Sequence, residues 1–224
     1  MSAHNIRSSY DAWLADQTRS PVQLMPGLTH KTGELRLDAE GLAERGWSDL
    51  PLDFAPENEG VLMGGYLENR SIYDSPVFAT PGEEPRNLHL GLDVFAPAGT
   101  PVFAPLEGLV HSFQTNNGEL DYGPTILLEH SPTEDLTFWT LYGHLSEDSL
   151  LGLEEGDPIS MGETLAELGG SDVNGGWAPH LHFQIMLDLD GRRGDFPGVC
   201  RSSERAKWEA ICPDPRRLLG LRSD

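Results

Sequence analysis

The sequence is short of cysteine, of basic side chains and of long apolar runs. Cys200 and Cys212 are its two cysteines. With no second pair they complete neither a zinc knuckle nor a disulfide framework, and they read as ordinary thiols. Lys and Arg number 15 against 36 Asp and Glu, a net charge of −21. So acidic a chain is repelled by nucleic acid and by anionic membranes, which excludes both as partners. No stretch approaches the roughly 20 apolar residues that span a bilayer. The N-terminal MSAHNIRSSYDAWLADQ has neither the basic start nor the apolar run of an export signal, so the expected location is the cytoplasm. No H-E-x-x-H motif occurs. The Gly-rich GGSDVNGG has neither a lysine nor a following helix, so it is no phosphate cradle but a mobile loop.

Glycine (25) and proline (17) are plentiful, which favours turns and short strands over long helices. Residues 1–60 are loosely patterned, with short helices expected at Tyr10–Asp16 and Leu37–Arg45, and are expected to wrap the main domain. Across 61–195 the texture changes. DVFAP, TPVFAP, GLVHSFQ, PTILLEH, LTFWTLYGHL and HLHFQIML are β-branched and aromatic runs separated by Gly, Pro, Asn and Asp. Such spacing predicts an all-β, antiparallel core rather than βαβ units. GDPISMGETLAELGG reads as two short strands around a Met161-Gly162 turn. Residues 196–224 form a helical extension: SSERAKWEAIC has a serine for a cap, Ala206, Trp208 and Ile211 at helical spacing, and Pro213 as a stop.

The chemistry lies in the histidines. On a strand His180 and His182 project to the same face. His89 and Asp93 flank Gly91, which lets the chain turn both side chains toward one point. His144 follows the apolar strand LTFWTLY. Five candidate groups thus gather at the ends of three strands. Three ligands with an open fourth position is the pattern of a catalytic zinc, and it leaves two histidines for proton transfer and charge stabilisation. His130 and His111 read as structural and peripheral.

Taken together, His89-Leu90-Gly91-Leu92-Asp93, then Tyr142-Gly143-His144-Leu145, then His180-Leu181-His182-Phe183 resemble the lysostaphin-type zinc endopeptidases in order and spacing. The resemblance implies an all-β, antiparallel sheet or barrel-sandwich core with short flanking helices. It implies Zn²⁺ on His89, Asp93 and His182, catalytic roles for His144 and His180, and a peptidoglycan-derived peptide or muropeptide as substrate. His180, beside a ligand on the same strand face, is the expected base, and His144 the expected oxyanion partner, with exchanged roles open. Tyr142 is a candidate substrate contact on the His144 strand, with a packed core tyrosine as the competing reading. Trp177 either walls the groove or packs under its loop. The chain departs from the pattern at Tyr122-Gly123-Pro124, where the family has Gly-Asn after the tyrosine. Two other readings stand beside this one: an amidase for a small soluble amide, and a non-catalytic binding module. A lipoyl- or biotinyl-type carrier is excluded, because no lysine occupies the Met161-Gly162 turn.

Overall fold

The computed structural model describes residues 3–16, 23–56, 60–73 and 75–221. Helix α1 (Ala3–Ala15) is followed by β1 (Gly33–Glu34), α2 (Ala39–Glu44), β2 (Leu62–Gly64), β3 (Arg86–His89), β4 (Leu92–Phe95) and β5 (Pro101–Phe103). Then come the long strands β6 (Gly108–Asn116), β7 (Gly123–Thr133) and β8 (Leu136–Gly143). The chain closes with β9 (Pro158–Ile159), β10 (Thr164–Glu167), β11 (His180–Met186), β12 (Val199–Arg201), α3 (Arg205–Ile211) and α4 (Pro215–Leu218). The core is all-β with short flanking helices, as the strand texture implied. No helix among the described residues is long and apolar enough to cross a membrane.

Eight strands form the main sheet in the order β1-β2-β4-β11-β8-β7-β6-β9, and two-stranded ladders β10-β5 and β12-β3 lie apart from it. All pairings are antiparallel except β1 with β2, which run parallel. Within residues 61–195 the pairing is antiparallel throughout, as expected; β1 comes from the N-terminal segment, and the long connection to β2 lets it arrive in the same direction. The Met161-Gly162 turn also behaves differently from a hairpin. Its two strands exist, but β9 pairs with β6 and β10 with β5. In the C-terminal extension Glu204, with no side-chain cap bond, sits at the helix N-cap instead of a serine. Trp208 and Ile211 pack against the body while Ala206 remains exposed.

Strand β11 lies at the centre, buried on both faces. Its alternation separates two environments. Leu181, Phe183 and Ile185 enter the main apolar core with Leu92 and Val94 of β4 and Leu136, Phe138 and Tyr142 of β8. His180, His182 and Gln184 therefore point to the other face. Helix α1 closes the core at its far side, where Tyr10 packs edge-on against Phe138 at 5.2 Å and Trp13 lies 5.4 Å from the same ring. The Tyr10 hydroxyl is buried without a hydrogen-bond partner. Truncating Tyr10 to alanine should cost about 3–5 kcal/mol, as for other buried aromatics. Tyr10→Phe removes an unsatisfied polar atom and should leave stability equal or higher in chemical denaturation.

Candidate metal centre and groove

Cross-strand register builds the site. On the polar face of the main sheet, Gly64 of β2 stands opposite Asp93 of β4, Asp93 opposite His182 of β11, and His182 opposite Gly143 of β8. Directly opposed residues have neighbouring side chains, so Asp93 and His182 meet without any special loop. The two glycines at the ends of this row leave room for rings and heads from elsewhere. A Cβ on Gly64 would lie 2.5 Å from Arg70 Nη2, and one on Gly143 would lie 2.7 Å from the Tyr122 ring. His89 arrives from the end of β3. Gly91 makes its approach possible, since a Cβ there would meet His182 Cε1 at 2.6 Å and the Phe183 carbonyl at 2.9 Å.

Each ligand candidate has its other polar atom committed. His89 Nδ1 donates to the Gly65 carbonyl at 2.9 Å, which leaves the Nε2 lone pair facing inward. Gln184 donates its amide N–H to the Pro197 carbonyl, so its oxygen accepts from His182 Nε2 at 2.9 Å and the Nδ1 lone pair faces inward. Asp93 Oδ2 is held by Arg70 in a close ion pair, and Oδ1 faces inward. The three inward atoms are 3.0 Å (His89 to His182), 3.1 Å (His182 to Asp93) and 3.3 Å (His89 to Asp93) apart. Three lone pairs therefore converge with no proton between them when both imidazoles are neutral. A tetrahedron with zinc bonds of about 2.0–2.1 Å has edges of about 3.3 Å, so the residues fit such an ion. Hydrogen bonds from outer groups that fix the ligand tautomers are the usual companions of metal-binding histidines.

The charge states agree with this. Burial, aided by the Arg70 charge, lowers the His89 pKa to about 4, so the ring is neutral at pH 7. Burial alone would raise the Asp93 pKa, but its neighbours His89, Arg70 and His180 hold the carboxyl well below the usual range. Of these Arg70 carries the permanent charge, because guanidinium does not titrate in proteins.

His144 and His180 lie beside the three, with ring centroids 4.2 Å apart. His180 Nδ1 donates to the Ala178 carbonyl at 2.7 Å, and Phe95, its cross-strand partner, stacks on the ring at 4.9 Å. His144 Nδ1 donates to the Asn174 carbonyl at 3.0 Å. Both rings therefore keep Nε2 as an acceptor. Burial lowers the pKa of each, and the His180 charge pushes His144 further, well below its ordinary value.

Tyr142 is not a groove residue. The strand ends at Gly143, and His144 takes a left-handed backbone (φ 65°), which breaks the alternation that would have put both side chains on one face. Tyr142 stays in the core, 5.3 Å from Phe183, its hydroxyl accepting from Thr140. The tyrosine in the groove is Tyr122, whose hydroxyl lies 3.5 Å from His182 Nε2 and whose ring packs on His144 and His182. Trp177 lines the cavity and also packs against Tyr73 and Phe78. The loop carrying it is pinned rather than loose, because the buried Asn174 side chain bonds the backbone of Trp177 in both directions. His130 is structural, bonded to the Glu107 carbonyl and Thr140. His111 is half-buried beside Ser112. Both thiols are free and buried. Arg70 and Asn174 carry no motif of their own in a single sequence, and Tyr122 stands where the chain departs from the family pattern; the fold brings all three to the site.

Asp93, His182, the two further histidines, Arg70, Tyr122 and Trp177 border one cavity of about 480 Å³. Its lining includes the apolar Leu37, Leu50, Ile72, Val77 and Phe78 and the charged Glu119, Asp121, Arg192 and Asp195. Fold and site together define a metallopeptidase-type centre.

Residues 87–194 match Peptidase family M23. A peptidoglycan DD-endopeptidase, ShyC of Vibrio cholerae, is 31% identical over 136 residues, which is 59% of this chain and 29% of that protein. The DD-carboxypeptidase/endopeptidase Mpg of Neisseria meningitidis is 34% identical over 101 residues, 45% of this chain and 20% of its own length. The matched stretches thus span less than a third of either relative. The lysostaphin catalytic domain of Staphylococcus simulans is 25% identical, with a TM-score of 0.41, over 60% of this chain and 80% of its own. Residues 87–194 are thus similar to the M23 peptidase family.

The purified protein should hold about one zinc per chain. His182→Ala should lose it and His180→Ala should keep it, as read by elemental analysis. Equal zinc in wild type and His182→Ala would remove His182 from the ligand set.

Proposed function

We propose that this chain is a zinc-dependent peptidase that hydrolyses a peptide bond in peptidoglycan-derived peptides. The observation that carries the proposal is the convergence of three proton-free lone pairs, from His89, Asp93 and His182, beside two further histidines with free Nε2 atoms. Zinc bound there would polarise a scissile carbonyl and lower the pKa of water to about 7. The names of the relatives, a peptidoglycan DD-endopeptidase and a DD-carboxypeptidase/endopeptidase, support the substrate class.

The residues of the chain divide the proton work. His180 is the better base of the two histidines. Its Nε2 lies 3.7 Å from Asp93 Oδ2, and that carboxylate stabilises the imidazolium which forms when it takes the proton of the attacking water. His144, 4.2 Å away, then remains neutral, since two adjacent buried cations would repel. A neutral His144 has spent its proton on Asn174, so it donates nothing to an oxyanion. Tyr122 fills that role in this proposal: burial raises its pKa well above 10, and its hydroxyl remains a donor beside the ligands. His180 returns its proton to the leaving amine. His144, through its lone pair, orients water or the substrate amide N–H.

His144→Ala and His180→Ala should each keep zinc and fold but lose turnover by on the order of 10²-fold or more. Tyr122→Phe should lose on the order of 10²-fold in kcat. Near-normal turnover in any of them reduces that side chain to packing.

The charge of −21 shapes which form of substrate is cleaved fastest. Repulsion from an anionic polymer slows encounter and is screened over a Debye length of about 8 Å at physiological salt. Soluble muropeptides should therefore be cleaved faster than intact sacculi at low salt, with the gap narrowing as salt rises. Rapid clearing of sacculi at low salt would refute this.

A further inference from the structure

We propose that Arg70 is a positioning residue for the metal centre, occupying Asp93 Oδ2 so that Oδ1 alone is presented to the ion. The proposal rests on the reading of His89, Asp93 and His182 as a zinc site.

A carboxylate can bind a metal through one oxygen or both. Here the choice is made by the guanidinium, which pairs with Oδ2 through Nη1 and turns Oδ1 toward the two imidazoles. Arg70 is 1% exposed and cannot swing to solvent. Its Nε donates to Glu68 Oε2 at 2.8 Å and its Nη1 also donates to the Tyr73 hydroxyl at 3.0 Å. Gly64, the end of the cross-strand row, supplies the space in which Nη2 lies.

The guanidinium is in turn held by a segment outside residues 87–194. The second oxygen of Glu68 accepts from the Leu37 N–H at 2.7 Å, and the Ser71 N–H donates to the Leu37 carbonyl at 3.1 Å. Arg70 N–H reaches the Asn87 carbonyl at 2.9 Å, and the Glu68 carbonyl accepts from the His89 N–H at 3.0 Å. Gly65 supplies the carbonyl that fixes the His89 tautomer. Residues 64–73 thus touch two of the three ligands and tie them to Leu37. Through Leu37 the N-terminal segment thereby supports the residues that hold Arg70. A purely structural ion pair would stabilise the fold and leave metal affinity alone. A positioning residue must change the affinity of the folded protein.

The test is zinc affinity of the full-length chain, read by competition with a coloured chelator, alongside thermal unfolding of the same samples. Arg70→Met should weaken zinc about 10- to 100-fold, the range for lost outer partners of metal ligands. Arg70→Lys keeps a charge without the fork and should fall between that variant and wild type. Gly64→Ala places a methyl against Nη2 while leaving every charge in place, so it covers the case in which Arg70→Met fails to fold. It should weaken zinc as well. Folded Arg70→Lys and Gly64→Ala proteins that bind zinc as tightly as wild type would overturn the proposal and leave Arg70 a structural ion pair. A wild-type chain that binds no zinc would instead overturn the metal-centre reading, and is told apart because no variant comparison is then needed.

Discussion

A carboxylate buried at the middle of a sheet is the constraint around which the rest is arranged. Asp93 is almost wholly enclosed, and burying an unpaired carboxylate costs several kcal/mol even after relaxation. The fold meets that cost from two sides. Arg70 takes one oxygen, and the other faces two imidazoles whose lone pairs await a cation. Neither arrangement works with Asp93 alone. The permanent charge of Arg70 keeps the group ionised, and an ionised carboxylate is the form that can hold a metal. The neutrality of His89, forced by burial and by that same arginine, keeps its nitrogen available. Stability and chemistry are therefore written in the same few contacts.

The central strand shows how one segment serves both. Leu181, Phe183 and Ile185 anchor β11 in the apolar core, and the intervening His180, His182 and Gln184 are held on the opposite face by the same pleat. A displacement by one residue would exchange core and site entirely. The apolar side thereby fixes the register that sets His182 against Asp93. Glycines at both ends of that cross-strand row then admit two large side chains from distant parts of the chain, Arg70 and Tyr122. Close approach of backbone, ring and guanidinium is the reason those positions carry no side chain.

The groove is asymmetric in origin as well as in character. Part of its apolar lining comes from residues 37–78, which precede the family-matched stretch, whereas the chemical groups come mostly from within it. Variation in the flank can thus alter what fits beside the metal without disturbing the ligands. The exception is the short stretch from Gly64 to Tyr73, which shapes the groove and braces the ligands at once.

The sequence alone determined the β-rich core, the five His and Asp positions of the centre, and the pairing of His180 with His182, because period-two alternation is a local property of extended backbone. Alternation misled at Tyr142, since the left-handed turn at His144 is held by the Tyr122 and Asn174 carbonyls, which accept from its backbone N–H and its Nδ1–H and are distant in the chain. Tertiary structure decided the rest. The sheet order put β2 beside β4 and so brought Arg70 to Asp93. Packing chose Tyr122 over Tyr142 as the groove tyrosine, and the Asn174 side chain pinned a glycine-rich loop that reads as slack by composition. The roles of Arg70 and Tyr122 are defined by what they touch far along the chain, Arg70 and Asp93 being 23 apart and Tyr122 and His182 60 apart.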